Sequence, residues 1–282
     1  MLLGILFTAP VALSLLTCWL TDGFDSLAWL WALPVGYLGY FVLLGLMVFL
    51  GLMVMVWLVD LEKPQEQDSK PYRIAINLLA PAAVRILSLK VHTKGLEKTP
   101  KGGRFMLVCN HLSLMDPMVL LAYFRKSQLT FISKKENNDM FVVGKMMHKI
   151  QCQLIDREND REALKTIIKC IQIVRDDKAS LAVFPEGYIN ADKKLHHFRS
   201  GVFKIAQKTK VPIAVCTLRN TQHAFHNGFR LKKTDVDLHL VDVISPEAYE
   251  ALSTVELGNL VYEMMAQDLG PENVSAEEII GG

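Results

Sequence analysis

Two long apolar blocks open the chain. Residues 1–20 are apolar apart from Thr8, Ser14 and Thr17, and a second run extends from Leu27 to Val59. A bilayer core needs roughly 20 apolar residues, so both blocks read as membrane helices. Pro34 and Gly36 mark the entry of the second, leaving about 36–59 as its spanning part. The short polar turn Thr21–Ser26 joins the two into a helical hairpin. A signal peptide would want a basic start and a small-residue cleavage site, and neither is present. A shallow re-entrant hairpin is the competing arrangement. The next stretch, Lys70–Leu89, mixes apolar residues with Arg73 and Arg85 and contains Pro81. It suits a helix lying on lipid headgroups, or a short packed helix.

From residue 90 the pattern changes to short β-like runs alternating with helical ones. The runs 105–109, 129–133, 152–155, 180–184, 211–217 and 236–243 are strand candidates. The clearest helix covers 160–176, where Leu164, Ile167, Ile168 and Ile171 follow the spacing of one buried face. Further helices are expected over 117–125, 141–150, 201–209 and 254–268. Strands alternating with helices predict an α/β domain, its mixed, largely parallel sheet flanked by helices and preceded by the transmembrane hairpin. The organisation expected is a membrane hairpin over 1–60, a linker or interfacial helix over 61–89, the α/β domain over 90–269 and a frayed tail over 270–282.

Charge sharpens this picture. Residues 1–60 hold no Lys or Arg and only Asp22, Asp25 and Asp60 as acids, so all 31 basic residues lie beyond them with the other 26 acids. The body therefore carries a formal +5. A mildly basic body behind a hydrophobic head suits an anionic membrane surface or phosphate-bearing substrates, though ordinary surface charge would look the same. Lys63, Lys70, Arg73 and Arg85 follow the second apolar run, and positive flanks stay cytoplasmic. The expectation is a multi-pass cell-membrane protein with its large domain on the cytoplasmic side. The five cysteines include no CxxC pair, which argues against a disulfide framework or a zinc knuckle.

Candidate chemistry follows the strands. Ligands of open α/β sheets gather beyond the carboxyl ends of the strands. Asn110-His111 follows run 105–109, Asp156-Arg157 follows 152–155, and Pro185-Glu186-Gly187 follows 180–184. Parallel strands would bring all three to one rim. His111 and Asp116 are five residues apart, about 500° on a helix, and would not meet on a continuous one. Asp116 precedes Pro117, a helix-start pair, so His111 is expected in the loop before the helix. One carboxylate oxygen would then cap the helix and the other accept the imidazole N–H, leaving the opposite nitrogen as a base. A structural histidine beside a cap is the bland alternative. A metal site falls short, since two ligands are fewer than the usual three or four. Ser113 and Cys109 are possible nucleophiles, but neither occupies a Gly-x-Ser-x-Gly elbow.

Asn110-His111-xxxx-Asp116-Pro117 resembles the first signature of the lysophosphatidic acid (1-acylglycerol-3-phosphate) acyltransferase family. Phe131-Ile132-Ser133-Lys134-Lys135-Glu136 with Gly144, Leu154-Ile155-Asp156-Arg157, Val183-Phe184-Pro185-Glu186-Gly187 and Val211-Pro212-Ile213-Ala214-Val215 resemble the later ones. Tyr188-Ile189 depart from the pattern after Phe-Pro-Glu-Gly, and Arg199 stands where a later basic residue is expected. The resemblance implies transfer of a fatty acyl group from an acyl thioester, carried on coenzyme A or acyl carrier protein, to the hydroxyl of lysophosphatidic acid. It implies His111 as base and Asp116 as its partner, with no resident cofactor or metal and no nucleic-acid partner. Acceptor binding would fall to Arg157, with Glu186, Gly187, Lys134, Lys135, Arg199 and Asn110 as further candidates. Membrane lipids are the expected surroundings. Glycerol 3-phosphate or another lysolipid as acceptor, a lipid hydrolase, and a non-enzymatic lipid binder are the alternatives.

Overall fold

The computed structural model describes residues 2–156 and 158–276. The chain divides into two compact units, Met1–Lys63 and Pro64–Gly282.

The first unit is a pair of apolar helices, α1 (Leu2–Leu20) and α2 (Trp29–Trp57). Both are long and apolar enough to cross a membrane. At 1.5 Å per residue α2 spans about 43 Å, more than the roughly 30 Å bilayer core. Thr17 Oγ1 meets Tyr40 Oη across the pair at 2.6 Å, and the Phe7 and Phe41 rings lie 5.4 Å apart. Gly36 lets the helices close, since a Cβ there would sit 3.2 Å from Ser14 Oγ. The second helix was expected to begin near Pro34; it begins at Trp29 and includes that proline. Pro34 lies less than two turns from the start, where only one helical hydrogen bond is given up.

The second unit is built on a seven-stranded sheet. In chain order it contains α3 (Lys70–Ile86), β1 (Leu89–Lys94), β2 (Met106–Cys109), α4 (Asp116–Tyr123), β3 (Leu129–Lys134), α5 (Val143–Lys149), β4 (Gln153–Ile155), α6 (Asp160–Arg175), β5 (Ser180–Val183), α7 (Lys204–Thr209), β6 (Ile213–Arg219), α8 (Ala224–Phe229), β7 (Thr234–Ile244), α9 (Pro246–Tyr249) and α10 (Thr254–Leu269). The sheet order is β1-β7-β6-β2-β5-β3-β4. β2 runs parallel to both neighbours, β5 and β6, and β3 runs parallel to β5 and β4. β7 and β1 reverse together: β7 is antiparallel to β6 and parallel to β1. The fold is thus α/β with a mixed, largely parallel sheet. One face of β2 and β5 (Met106, Val108, Leu181, Val183) packs under α6, α7 and α10 through Ile167, Cys170, Val174, Ile205, Val261 and Met265.

Several local expectations need correction. The edge strand β1 was not anticipated; its LKVHTK buries only Leu89 fully, so it shows little apolar signal. The strand expected over 211–217 starts and ends two residues later. The stretch 70–89 does form a helix: α3 runs through Pro81 and packs one side inward, burying Tyr72, Ile76, Ala80 and Val84. Its buried Arg73 donates to Asp68 at 2.7 Å and to the Leu129 carbonyl at 2.8 Å. Of the tail expected to fray over 270–282, the described part forms a 3-10 turn, Pro271–Asn273, and pairs Val274 with Leu195, while 277–282 lie outside the described residues. Leu195 N donates to Asn273 O and Ser275 N to Leu195 O, so those backbone groups are satisfied through residue 275.

Candidate active site

Three neighbouring parallel strands, β6, β2 and β5, end on the same rim, and the loops leaving them converge. The loop after β2 turns back on itself because Asp116 collects its backbone. Asp116 Oδ2 accepts from Leu112 N at 2.7 Å, from Ser113 N at 2.8 Å and from His111 Nδ1 at 2.8 Å. The residue was expected to cap α4. It is instead the first residue of the helix, with Met115 at the flanking position and no side-chain cap. The five-residue gap serves the loop rather than the helix end. Asp116 Oδ1 is met by the hydroxyl of Thr221, which stands just beyond β6. The carboxylate is fully buried and has four donors. That is how a charge is kept in a low-dielectric interior.

The imidazole is held on a second side. Its ring stacks on Phe184 with centroids 4.1 Å apart and planes 16° apart, and Phe184 stacks in turn near Phe131. With Nδ1 committed to a carboxylate, Nδ1 carries the proton and Nε2 is the basic nitrogen. Nε2 has no partner among the described residues, and the side chain is 16% exposed. A base needs this combination of a fixed tautomer and an open nitrogen.

Glu186 provides the third tie. Its Oε1 accepts from His111 N at 2.9 Å, and its Oε2 accepts from Asn190 Nδ2 at 2.5 Å and from His196 N at 3.1 Å. One buried carboxylate thus joins the loop after β2 to the loop after β5. Burial raises its pKa to about 7; the two amides pull it down, and the nearby Asp116 charge pushes it up. Pro185 and Glu186 form a turn closed by Gly187 N donating to Phe184 O at 3.0 Å, with Gly187 at φ +85°. Arg199 N donates to Pro185 O at 2.8 Å, and its side chain lies so close to Gly187 that a Cβ there would meet Arg199 Nε at 3.1 Å.

The structure thus gathers His111, Asp116, Glu186, Gly187 and Arg199. It gives three of the acceptor-binding candidates other work. Asn110 is buried, and its amide exchanges two bonds with the Leu218 backbone, at 2.9 Å to the carbonyl and 2.7 Å from the N–H. It clasps β2 to β6 instead of facing a ligand. Both oxygens of Glu186 are likewise occupied by protein, and the Gly187 N–H is spent within its own turn. Lys134 and Lys135 stand at the end of β3, two strands from β2, and Lys134 lies 3.5 Å from Glu136. Arg157 lies outside the described residues. Cys109 is buried and burial pushes its thiol well above the ordinary value, while the Ser113 hydroxyl accepts from Met115 N. Neither is presented as a nucleophile. Thr221, Phe184 and Asn190 were missed. The first lies 105 residues from its partner, and only the β2–β6 pairing brings it near.

Residues 90–219 match the family described as Acyltransferase. Relatives extend the likeness. A protein of Mycoplasma pneumoniae named "Probable 1-acyl-sn-glycerol-3-phosphate acyltransferase" is 34% identical over 164 residues, covering 54% of this chain and 60% of that protein. A protein of the same name from Mycoplasma genitalium is 25% identical over 78% of this chain and 88% of its own length. The crystal structure of the 1-acyl-sn-glycerophosphate (LPA) acyltransferase PlsC from Thermotoga maritima covers 86% of this chain and 93% of that one, with TM-score 0.61 and 24% identity. That likeness carries the fold. All the residues gathered at the rim, from Asn110 to Arg199, lie inside the matched span; Thr221 stands two residues past it.

Proposed function

We propose that this chain transfers a fatty acyl group from an acyl thioester to the free hydroxyl of 1-acyl-sn-glycerol 3-phosphate, forming phosphatidic acid, with His111 as general base. The observation that carries this reading is the open Nε2 of an imidazole whose other nitrogen is bound to a buried, four-donor carboxylate. The names borne by the relatives support the choice of acceptor. The acceptor oxygen attacks the thioester carbon as Nε2 takes its proton. Asp116 stabilises the imidazolium so formed. When the carbon–sulfur bond breaks, the thiolate leaves and the imidazolium returns the proton to it. The thioester is already activated, so no acyl-enzyme is required. A base positioned in this way typically contributes about 10²–10⁴-fold.

Coenzyme A or acyl carrier protein would carry the donor. Arg157, Arg199, Lys134 and Lys135 are the cations proposed for the acceptor phosphate, for which a guanidinium fork is the best match. The two apolar helices would hold the chain in the cell membrane, with the domain on the cytoplasmic side beside its lipid substrates.

The test is the purified full chain in vesicles, supplied with both classes of thioester and a panel of phosphorylated and unphosphorylated acceptors. Esterified lipid made from the phosphorylated lysolipid is expected, and His111→Ala should lose at least about a hundredfold in rate. Free fatty acid as the sole product would replace this reading with a hydrolase. Near-normal turnover by His111→Ala would remove the histidine from the chemistry.

A further inference from the structure

The segment leaving the active site carries the most exposed large apolar side chains of the second unit. Phe229 and Leu231 are 82% and 87% exposed, and Phe225, stacked 6.5 Å from Phe229, is partly so. They do not stand alone. Gly228 is backed onto the end of α3, where a Cβ would lie 2.8 Å from Leu87 Cδ2, and Thr234 N donates to Ser88 O at 3.1 Å. This contact brings the α8–β7 corner beside Ile86, itself 65% exposed. The apolar residues thus form a patch and are not scattered single side chains.

A second feature is independent of exposure. Leu231 has φ +55°, the left-handed region that a bulky side chain avoids. The conformation is held by Leu231 N donating to Gly228 O at 3.0 Å and Lys232 N to Asn227 O at 2.9 Å. These bonds are the left-handed C-terminal cap of α8, a place usually given to Gly or Asn, and they leave the leucine outward.

Charge identifies the occupant. Residues 220–234 contain no Asp or Glu and include Arg230, Lys232 and Lys233. Arg230 and Lys232 are exposed and make no ion pair among the described residues. Apolar side chains interleaved with unpaired cations match an anionic lipid surface, where the former enter the acyl region and the latter meet headgroups.

We propose that the α8–β7 corner, with Ile86, is a membrane-insertion surface that docks the catalytic domain on anionic phospholipid. It deepens the reading above, because α8 starts three residues after Thr221, which holds Asp116. Seating this corner in the bilayer would bring the His111 rim to the level where a lysolipid hydroxyl resides.

The experiment uses the full chain in phosphatidylglycerol-containing vesicles. The four native tryptophans, Trp19, Trp29, Trp31 and Trp57, are replaced by phenylalanine, and Phe229→Trp becomes the sole fluorophore. Lipids brominated about 5–10 Å below the headgroup should quench it strongly. Lys165→Trp on α6, beneath the opposite face of the sheet, is the control and should not respond. A fluorophore at 229 no more quenched than at 165 would overturn the proposal, and a blue shift without quenching would replace the lipid by a second copy of the chain. Phe229→Ser with Leu231→Ser should lower the rate on vesicle-borne acceptor roughly tenfold while sparing a water-dispersed short-chain acceptor. Equal rates on both acceptors would also overturn it. Retained acyl transfer without quenching would sink the docking surface alone, whereas quenching without acyl transfer by any variant would sink the assigned reaction alone.

Discussion

Replacing Asp116 by Asn removes one charge and almost no volume, and the structure dictates how the new side chain must sit. Three N–H groups converge on Oδ2 at 2.7–2.8 Å. An amide NH₂ cannot occupy that position, so the amide oxygen must. Its NH₂ then faces Thr221, whose hydroxyl can rotate from donor to acceptor. The imidazole therefore keeps its Nδ1–H, and Nε2 remains the base. What disappears is the field that stabilises the imidazolium. Two unit charges about 4 Å apart attract by about 4 kcal/mol at an effective dielectric of about 20. The neutral carbonyl dipole returns part of this, so the expected loss is about 10²–10³ in kcat. Where such a substitution also flips the tautomer, the loss is nearer 10⁴. The assay is the initial rate of thiol release at saturating thioester and acceptor, with His111→Ala as the floor. A fall of less than about tenfold would show that the negative charge is not used. A fall to the floor would show that the Leu112 and Ser113 amides do not preserve the tautomer.

Three further outcomes are expected. Thr221→Val leaves a buried carboxylate oxygen without its donor, so it should cost about 1–3 kcal/mol of stability and roughly tenfold in kcat; unfolding and rate measurements that both match the wild type would contradict the role given to Thr221. Glu186 is buried and its pKa is raised from 4.5 to about 7. Its protonation therefore favours the folded state fully below the unfolded pKa, and that advantage is lost as pH rises through about 7, at most about 3 kcal/mol. Because Glu186→Gln cannot titrate, the wild type should lose stability relative to it between pH 5 and 8, followed by thermal unfolding in detergent; a constant difference would refute the shift. Gly144→Ala would place its Cβ 2.1 Å from the Asn138 carbonyl oxygen, so α5 must move. A loss of more than about 2 kcal/mol is expected, and an unchanged melting temperature would show that the helix yields freely.

Much of the site was legible because its local rules are strong. A proline after Asp116 announces a helix start, and the gap to His111 then forces a loop in which the two can meet. Polar segments after three apolar runs predicted a shared rim, and the parallel pairing of β2 with β5 brings two of them, the His111 and Glu186 loops, together. What escaped depends on contacts distant in sequence. Nothing near Thr221 advertises a hydroxyl for Asp116, and nothing near Asn110 says that its amide will take Leu218 as a sheet partner. Both follow from β6 lying beside β2, which periodicity does not reveal. The prolines misled for a related reason. Pro81 costs α3 one hydrogen bond, yet the buried side of the helix, Ile76 to Val84, outweighs it.

The same physical device appears twice at the rim. Loops carry backbone N–H groups that no strand or helix satisfies, and burying them uncompensated costs about 1–3 kcal/mol each. Here two buried carboxylates serve as the acceptors. Asp116 gathers the amides of Leu112 and Ser113, and Glu186 gathers those of His111 and His196. The arrangement explains why the histidine can be both rigid and partly open. Its backbone is pinned by one carboxylate, its Nδ1 by the other and its ring by Phe184, so no restraint is needed on the side of Nε2. Rigidity is thereby separated from access. The same separation limits what evolution can change freely. A residue facing Nε2 could vary with the acceptor, whereas altering Asp116 or Glu186 would unfasten a loop and disturb the base together.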